Sequence, residues 1–255
     1  MRKFKNKRRK KSNKIFLLFT IIFSVIFIYS AYKIVLWKIE NDKGNKTLTN
    51  IKKDIKIIKN IEGEIAQYKI DFSNLKKKNN DTVAFIKVYG TNIEYPVVKT
   101  NDNSYYLNHS FDKSPNGAGW PFANYLNKFD GTDKNITIFA HARYDGSMFG
   151  TLYKTLSTSW QENKNNHKIL FITENESSEY QVFSTYKILA EDYYIKENFS
   201  SDEEYQTFLT TITKRSNYNY NVDVTLKDTI ITLSSCASDD KYRIVLHAKK
   251  IKIFG

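Results

Sequence analysis

The sequence predicts a mainly β fold, a closed β-barrel preceded by helices. Runs rich in β-branched and aromatic residues recur between residues 82 and 254, and loops rich in Asn, Gly and Ser separate them. Seven or eight strands at such intervals are typical of a closed barrel. Upstream, a long apolar run and then a periodicity of three to four residues indicate helices.

The first segment, residues 1–14, is a basic tail. It carries nine Lys or Arg residues and no acidic residue. The formal net charge of the chain is +13, but only +3 of it lies after Trp37. A nearly balanced body argues against a nucleic-acid surface, and the sequence contains no helix-turn-helix, zinc-finger or RNA-binding motif. We therefore expect no nucleic-acid partner.

Residues 15–37 predict a transmembrane anchor. Ile15 to Tyr32 is an uncharged run, and a helix that continues to Trp37 would span roughly 34 Å, enough for a bilayer. Lys33 would snorkel to the far interface. The basic tail then predicts a cytoplasmic N-terminus and an extracellular body. A cleaved signal peptide is the alternative, but the run is longer than a usual signal core and no Ala-x-Ala site follows it.

Residues 38–74 predict an N-terminal helical region. From Thr47 to Lys69, apolar residues recur every three or four positions with lysines between them. This pattern predicts an amphipathic helix that packs one face against the body and turns its lysines to water.

Seven segments predict strands because each is rich in β-branched and aromatic residues and is followed by a loop. They are residues 82–89, 92–98, 136–141, 168–173, 179–189, 229–235 and 243–254. One helix, residues 202–215, is predicted before the sixth of these strands. Its signals are a capping box from Ser201 to Glu204 and a following apolar face. Long connections of this kind often form the wall of a binding site.

Cys236 is the only cysteine in the 255 residues, so it cannot form an internal disulfide. It ends the apolar run TIITLSSC, and the short segment ASDDKY then leads into RIVLHAKKI. This spacing predicts an antiparallel hairpin with Cys236 and Arg243 at its mouth. A guanidinium there favours a thiolate and can donate hydrogen bonds to an oxyanion. The thiol is either buried and inert or a nucleophile.

Acyl transfer by a thiolate also needs a proton shuttle, and histidine titrates near neutral pH. His141 follows the predicted strand ITIFA, and a strand end is where sites are usually built. His247 shares the strand of Arg243 but lies about 13 Å farther along it. His109 and His167 lie among loop residues and are expected to be solvated. Spacing thus favours His141 without excluding His247.

Several motifs together resemble the sortase family. TLSSC followed by an arginine resembles the sortase signature Thr-Leu-x-Thr-Cys, with Ser235 in place of the usual threonine. YPVVKTNDNSYYLNHSF at 95–111, FAHARYDGSMFGTL at 139–152 and EYQVFSTYKI at 179–188 resemble class B sortases in the same order. The resemblance covers nearly all of residues 75–253.

The resemblance implies an eight-stranded barrel with N-terminal helices and a helix before the cysteine strand, so that residues 75–255 form the catalytic domain. It implies His141, Cys236 and Arg243 as catalytic residues and gives His247 a packing role. It implies no cofactor and no metal ion. The residues implied to line the peptide groove are Asn103, Leu107, Tyr194, Ile195 and Ser234.

The implied activity is that of a transpeptidase. The thiolate would attack the threonine carbonyl of a sorting motif near the C-terminus of an exported protein and form a thioacyl enzyme. An amine of a peptidoglycan precursor or cross-bridge would then accept the acyl group. Class B relatives use motifs similar to Asn-Pro-x-Thr-Asn or Pro-x-Thr-Gly. The implied partners are therefore motif-bearing exported proteins, the peptidoglycan amine and the membrane.

Two departures from the family pattern affect the site. Asn124 stands where many relatives carry an acid, and the loop ASDDKY is short, which leaves open any acidic support of Arg243 by Asp239 or Asp240. Two other functions are consistent with the residues. One is a surface-exposed binding barrel with an inert Cys236, and the other is a cysteine peptidase that transfers its acyl group only to water.

Overall fold

The structure is a computed structural model, and it describes residues 3–53, 55–59, 67–236 and 241–254. Side chains are described for residues 13–53, 55, 68–235 and 241–254. Asp239 and Asp240, for which the sequence leaves support of Arg243 open, lie outside the described residues. The chain divides into two compact units, Met1–Asn45 and Lys46–Gly255.

A long helix, α1, begins in the first unit and runs from Lys3 to Lys52. Within it, Asn13–Lys52 contains a stretch that is long and apolar enough to cross a membrane. Large apolar side chains are exposed along this stretch, for example Phe16 and Phe27 at 75% and 74%. Such a surface is stable in lipid rather than in water.

The helix predicted from Thr47 to Lys69 is confirmed as far as Lys52 and is wrong at residues 55–59 and 67–69, whereas residues 54 and 60–66 lie outside the described part of the chain. After α1 ends, strand β1, Ile55–Lys59, pairs antiparallel with strand β2, Gln67–Ile70. Ile55 lies opposite Ile70, and both side chains pack against the body. Because isoleucine is β-branched, the same residues fit a strand well, and tertiary packing selects it over the helix.

Eight strands form a closed barrel, as the sequence predicts. Two short helices are not part of the barrel: α2, Phe72–Lys78, and α3, Thr158–Gln161. The strands are β3 Thr82–Val88, β4 Glu94–Val98, β5 Phe122–Ala123, β6 Asn135–Ala140, β7 Lys168–Thr173, β8 Ser177–Leu189, β9 Ile230–Cys236 and β10 Tyr242–Phe254. Their order is β10-β8-β7-β3-β4-β5-β6-β9, and β9 closes on β10.

Seven of these strands lie where the sequence predicts them, and β5 does not. A strand of two residues is too short to show a periodicity in the sequence. It forms because its neighbours offer two free edges: Phe122 pairs in parallel with Val98 and antiparallel with Phe139. β6 and β9 also pair in parallel, and the remaining neighbours are antiparallel.

The predicted helix of the long connection is confirmed as α4, Asp202–Lys214. Ser201 caps it, because its hydroxyl accepts a hydrogen bond from the Glu204 N–H at 3.2 Å. The Glu204 carboxylate accepts from Ser200 rather than from Ser201, so the capping box is shifted by one residue. One face of α4 packs against the outside of β8 and β10, and this face consists of Tyr205, Phe208, Leu209 and Ile212.

A chain of hydrogen bonds fixes the protonation of His247, which is fully buried in the barrel. Thr232 donates its one hydroxyl proton to Asn135 Oδ1 at 2.7 Å, so His247 Nδ1 must donate to Thr232, at 2.8 Å. His247 Nε2 then accepts from the Tyr186 hydroxyl at 2.8 Å, and Tyr193 donates to Tyr186. His247 is therefore a neutral structural residue.

This burial makes the fold sensitive to acid. Burial lowers the pKa of His247 from 6.5 to about 3. Because the unfolded histidine binds a proton that the folded one does not, the free energy of unfolding falls as the pH falls through this window, by about 1.4 kcal/mol per pH unit. We expect His247→Gln to remove this part of the slope. Urea unfolding between pH 7 and pH 4 checks it, and equal slopes in both proteins would contradict the assignment.

Candidate active site

The predicted hairpin of the cysteine and the arginine is present. β9 and β10 pair antiparallel, and their register places Arg243 directly opposite Cys236. The Arg243 side chain is half-buried, and its Nη1 donates to the Tyr242 carbonyl at 2.9 Å. This contact helps to hold the planar guanidinium at the end of β10.

The backbone of His141 lies at the same mouth of the barrel. β6 runs parallel to β9, and its last residue, Ala140, pairs with Ser235. His141 and Cys236 are therefore the next residues on two adjacent strands. Because β9 lies between β6 and β10, the cysteine position is flanked by the histidine on one side and the arginine on the other.

The His141 imidazole is half-buried, and its Nε2 lies 2.7 Å from the carbonyl oxygen of Leu107. A carbonyl oxygen only accepts, so Nε2 carries a proton. The nitrogen that gains or loses a proton is consequently Nδ1. Leu107 was predicted to line the groove, and its side chain is 38% exposed. Its backbone carbonyl also binds His141, a contact that no sequence signal reveals.

The loop after His141 is held in one conformation. The Phe149 N–H donates back to the His141 carbonyl at 3.0 Å, and the Met148 N–H donates to the buried Tyr95 hydroxyl at 3.0 Å. Gly150 closes the loop so tightly that a Cβ there would lie 2.2 Å from the Arg143 carbonyl oxygen. This explains the glycine in the motif and fixes the histidine at the strand end.

Asn103 lies on the loop between β4 and β5, close to β5. Its Oδ1 accepts from the Tyr125 N–H at 3.0 Å, and its Nδ2 donates to Asn124 Oδ1 at 3.2 Å. Asp102 orders the same loop by accepting from the Ser104 and Tyr105 N–H groups. Asn103 is therefore oriented before any peptide binds.

The other three predicted groove residues lie deeper. Tyr194 and Ser234 are 1% and 3% exposed, and their hydroxyls hydrogen-bond to each other at 2.9 Å. Ile195 is half-buried and packs on the α4 cluster. The hydrogen bond between Tyr194 and Ser234 ties the long connection to β9, two residues before Cys236. Direct substrate contact by these three side chains stays a prediction.

The remaining histidines have structural surroundings. His109 is half-buried and stacks on Tyr105 at 4.0 Å between ring centroids. The expectation that His167 is solvated is wrong, because it is 5% exposed and hydrogen-bonds to the Gln161 carbonyl at 2.7 Å. The aromatic rings of Trp160, Tyr218 and Tyr220 surround it, and the two tyrosines come from a segment remote in sequence.

The comparisons with known proteins agree on one family. The sortase domain model matches residues 86–251. Sortase B of Staphylococcus aureus is 34% identical over 238 residues, which cover 91% of this chain and 95% of that protein. Sortase B of Listeria monocytogenes is 31% identical over 248 residues, with the same two coverages.

Solved structures are similar as well. A sortase B of Bacillus anthracis superposes with a TM-score of 0.72 at 32% identity and covers 84% of this chain and 99% of that one. A Staphylococcus aureus sortase B–substrate complex has a TM-score of 0.67 at 36% identity, and it covers 71% of this chain and 84% of that one.

An eight-stranded barrel whose cysteine lies opposite an arginine and beside a histidine-bearing strand defines a cysteine transpeptidase. The chain belongs to the sortase family and, within it, to class B. The inert binding barrel is thereby set aside, and the protein is an enzyme of this class.

Proposed function

We propose that this sortase cleaves a C-terminal sorting motif after its threonine, forms a thioacyl intermediate on Cys236 and transfers the acyl group to a peptidoglycan amine. The observation that supports this most is the register of β9 and β10, which sets Arg243 opposite Cys236. His141, one position beyond the last β6–β9 pair, completes the set.

In the first half-reaction, the Cys236 thiolate attacks the threonine carbonyl carbon of the sorting motif, and the carbonyl oxygen becomes an oxyanion. The Arg243 guanidinium donates hydrogen bonds to that oxyanion and so stabilises the transition state more than the ground state. When the C–N bond breaks, the leaving amine takes a proton from His141. The products are a thioester on the enzyme and the free C-terminal fragment.

The proton comes from Nδ1 of His141, because Nε2 is engaged by the Leu107 carbonyl. In the second half-reaction, an acceptor amine attacks the thioester and transfers a proton to the now neutral imidazole. The thiolate leaves, a new amide bond forms, and the starting protonation state returns. Each cycle exchanges one peptide bond for another and needs no other reactant.

An amine acceptor and a peptide donor are supported by two relatives. One solved sortase B is complexed with triglycine, and the Staphylococcus aureus sortase B has been solved with its substrate. We extend both to this chain as a proposal. The donors are motif-bearing exported proteins, and the acceptor is an amine of a peptidoglycan precursor or cross-bridge.

The proposed location follows from α1. Residues 15–37 would form a single membrane span, with the basic tail, residues 1–14, in the cytoplasm and the catalytic domain, residues 75–255, outside. The exposed apolar surface of α1 and the nine positive charges before it support this arrangement. The enzyme would then meet exported proteins at the membrane surface as they emerge.

The test is a peptide assay with the full chain in detergent micelles. Donor peptides of the Asn-Pro-x-Thr-Asn and Pro-x-Thr-Gly kinds are incubated with and without triglycine, alongside Cys236→Ala. We expect the wild-type enzyme to cleave one class of peptide and to form a ligated product with triglycine. Cleavage without any ligation would identify a peptidase that transfers to water. Equal behaviour of wild type and Cys236→Ala on every peptide would contradict the proposal.

A further inference from the structure

A buried carboxylate, Glu197, lies in the connection between β8 and α4. It is 6% exposed and belongs to the connection that carries Tyr194 and Ile195. Its backbone carbonyl accepts from the N–H groups of Lys134 and Asn135, each at 3.0 Å, so the start of β6 holds it in place. Burial, together with the charge of Asp133, raises the pKa of Glu197.

Glu197 begins a chain of side-chain hydrogen bonds that ends at Asn103. A Glu197 oxygen accepts from Asn124 Nδ2, and Asn124 Oδ1 accepts from Asn103 Nδ2 at 3.2 Å. The carboxylate oxygen is an acceptor, so it fixes which end of the Asn124 amide faces it. The opposite end, an oxygen, must then face Asn103. Asn124 Oδ1 also accepts from the Leu126 N–H at 3.2 Å, and Asn103 Oδ1 accepts from the Tyr125 N–H at 3.0 Å, so Glu197 acts together with two backbone contacts to orient the two amides.

The chain also joins the two segments that carry most of the predicted groove residues. One segment is the loop at 99–111, which bears Asn103 and the Leu107 carbonyl that binds His141. The other segment is the connection at 190–201, which bears Tyr194 and Ile195. In the interior, a hydrogen bond is strong and an unpaired polar group is unfavourable, so a connected set of this kind has one preferred arrangement.

We propose that Glu197 is a positioning residue, which sets the Asn103 amide for the sorting peptide through Asn124. This inference rests on the proposed function, because it takes the groove at Asn103 to be the donor site. Glu197 touches neither the reacting atoms nor, directly, the peptide. Its loss should therefore weaken peptide binding and leave the chemistry at Cys236 intact.

The test is Glu197→Leu in the full chain, with three measurements. They are KM and kcat for the cleaved donor peptide, the Kd of that peptide on the Cys236→Ala background, and the rate at which iodoacetamide alkylates Cys236. We expect KM and Kd to rise about tenfold, the scale of one lost hydrogen bond, with kcat and the alkylation rate within about twofold of wild type. Glu197→Gln keeps an acceptor oxygen and should stay within about threefold of wild type in KM.

The matched control is Glu179→Leu, which removes a carboxylate of equal burial, 6% exposed, from the far end of β8. It loses an ion pair with Lys168 at 3.1 Å and should leave KM unchanged. A wild-type KM and Kd in Glu197→Leu, or equal changes in both variants, would overturn the proposal. If Glu197→Leu does not fold, Asn124→Ala breaks the same chain, and a wild-type Kd there would overturn it too.

The Kd separates this proposal from the proposed function. A donor peptide that binds but is not cleaved, with a weaker Kd in Glu197→Leu, supports the positioning role and contradicts the transpeptidase. Cleavage by wild type with no effect of Glu197→Leu on KM or Kd supports the transpeptidase and contradicts the positioning role. A peptide set that neither binds nor is cleaved contradicts both.

Discussion

Arg243→Ala is expected to lower kcat for the sorting peptide about 100- to 1,000-fold, the effect of removing an oxyanion donor. Arg243 lies opposite Cys236 in the register of β9 and β10, and in the proposed mechanism its guanidinium stabilises charge that develops only in the transition state. KM should change much less. Steady-state cleavage of a fluorescent donor peptide measures both constants.

Two variants make this prediction specific to the guanidinium. Arg243→Lys keeps the positive charge but loses the planar fork of donors, and we expect it to recover only part of the lost kcat. Lys249→Ala removes a charge from the same strand at the far end of the barrel, where Lys249 pairs with Asp228 at 3.5 Å, and it should behave as wild type. Full activity in Arg243→Lys would show that charge alone is required.

His141→Gln is expected to lower kcat about 100- to 10,000-fold, because general acid–base catalysis contributes on that scale. Glutamine can still donate to the Leu107 carbonyl, so the loop stays anchored while the proton shuttle is lost. The variant should release the C-terminal fragment slowly, and alkylation of Cys236 by iodoacetamide should also slow.

His109→Gln is the control for this second prediction. His109 is the histidine stacked on Tyr105, and its replacement should leave both rates near wild type. Full activity of His141→Gln would contradict the proposal that His141 is the proton shuttle. Equal losses in both variants would instead indicate a general disturbance of the loop at 99–111.

The strands were predictable because the β-branched runs are long enough to show their pattern against the loops. β5 was not, since two residues carry no period and its existence depends on edges supplied by Val98 and Phe139. The prediction for the segment IKIIK, which forms β1, was wrong although this segment does show a period. Its spacing fits a helix, and only the pairing of Ile55 with Ile70 and their packing on the body select a strand.

The placement of Cys236 opposite Arg243 was predictable, because the two residues are close in sequence and lie on strands that pair as a hairpin, while their catalytic roles stay predictions. The surroundings of the site were not predictable. The partner of His141 is a backbone carbonyl, which leaves no signature in the side chains. Glu197 lies 73 residues from Asn124 in sequence. An acidic residue in a loop is expected to be solvated, and only the fold shows that Glu197 is buried.

The most direct test of the mechanism is the mass of the enzyme during turnover. The full chain is mixed with its donor peptide without an acceptor, quenched in acid, digested and analysed by mass spectrometry. We predict that Cys236 gains the mass of the N-terminal peptide fragment that ends in threonine, and that triglycine removes this adduct and appears in the ligated product. Fragment release with Cys236 unmodified at every time point, or an adduct that persists in Cys236→Ala, would contradict the account.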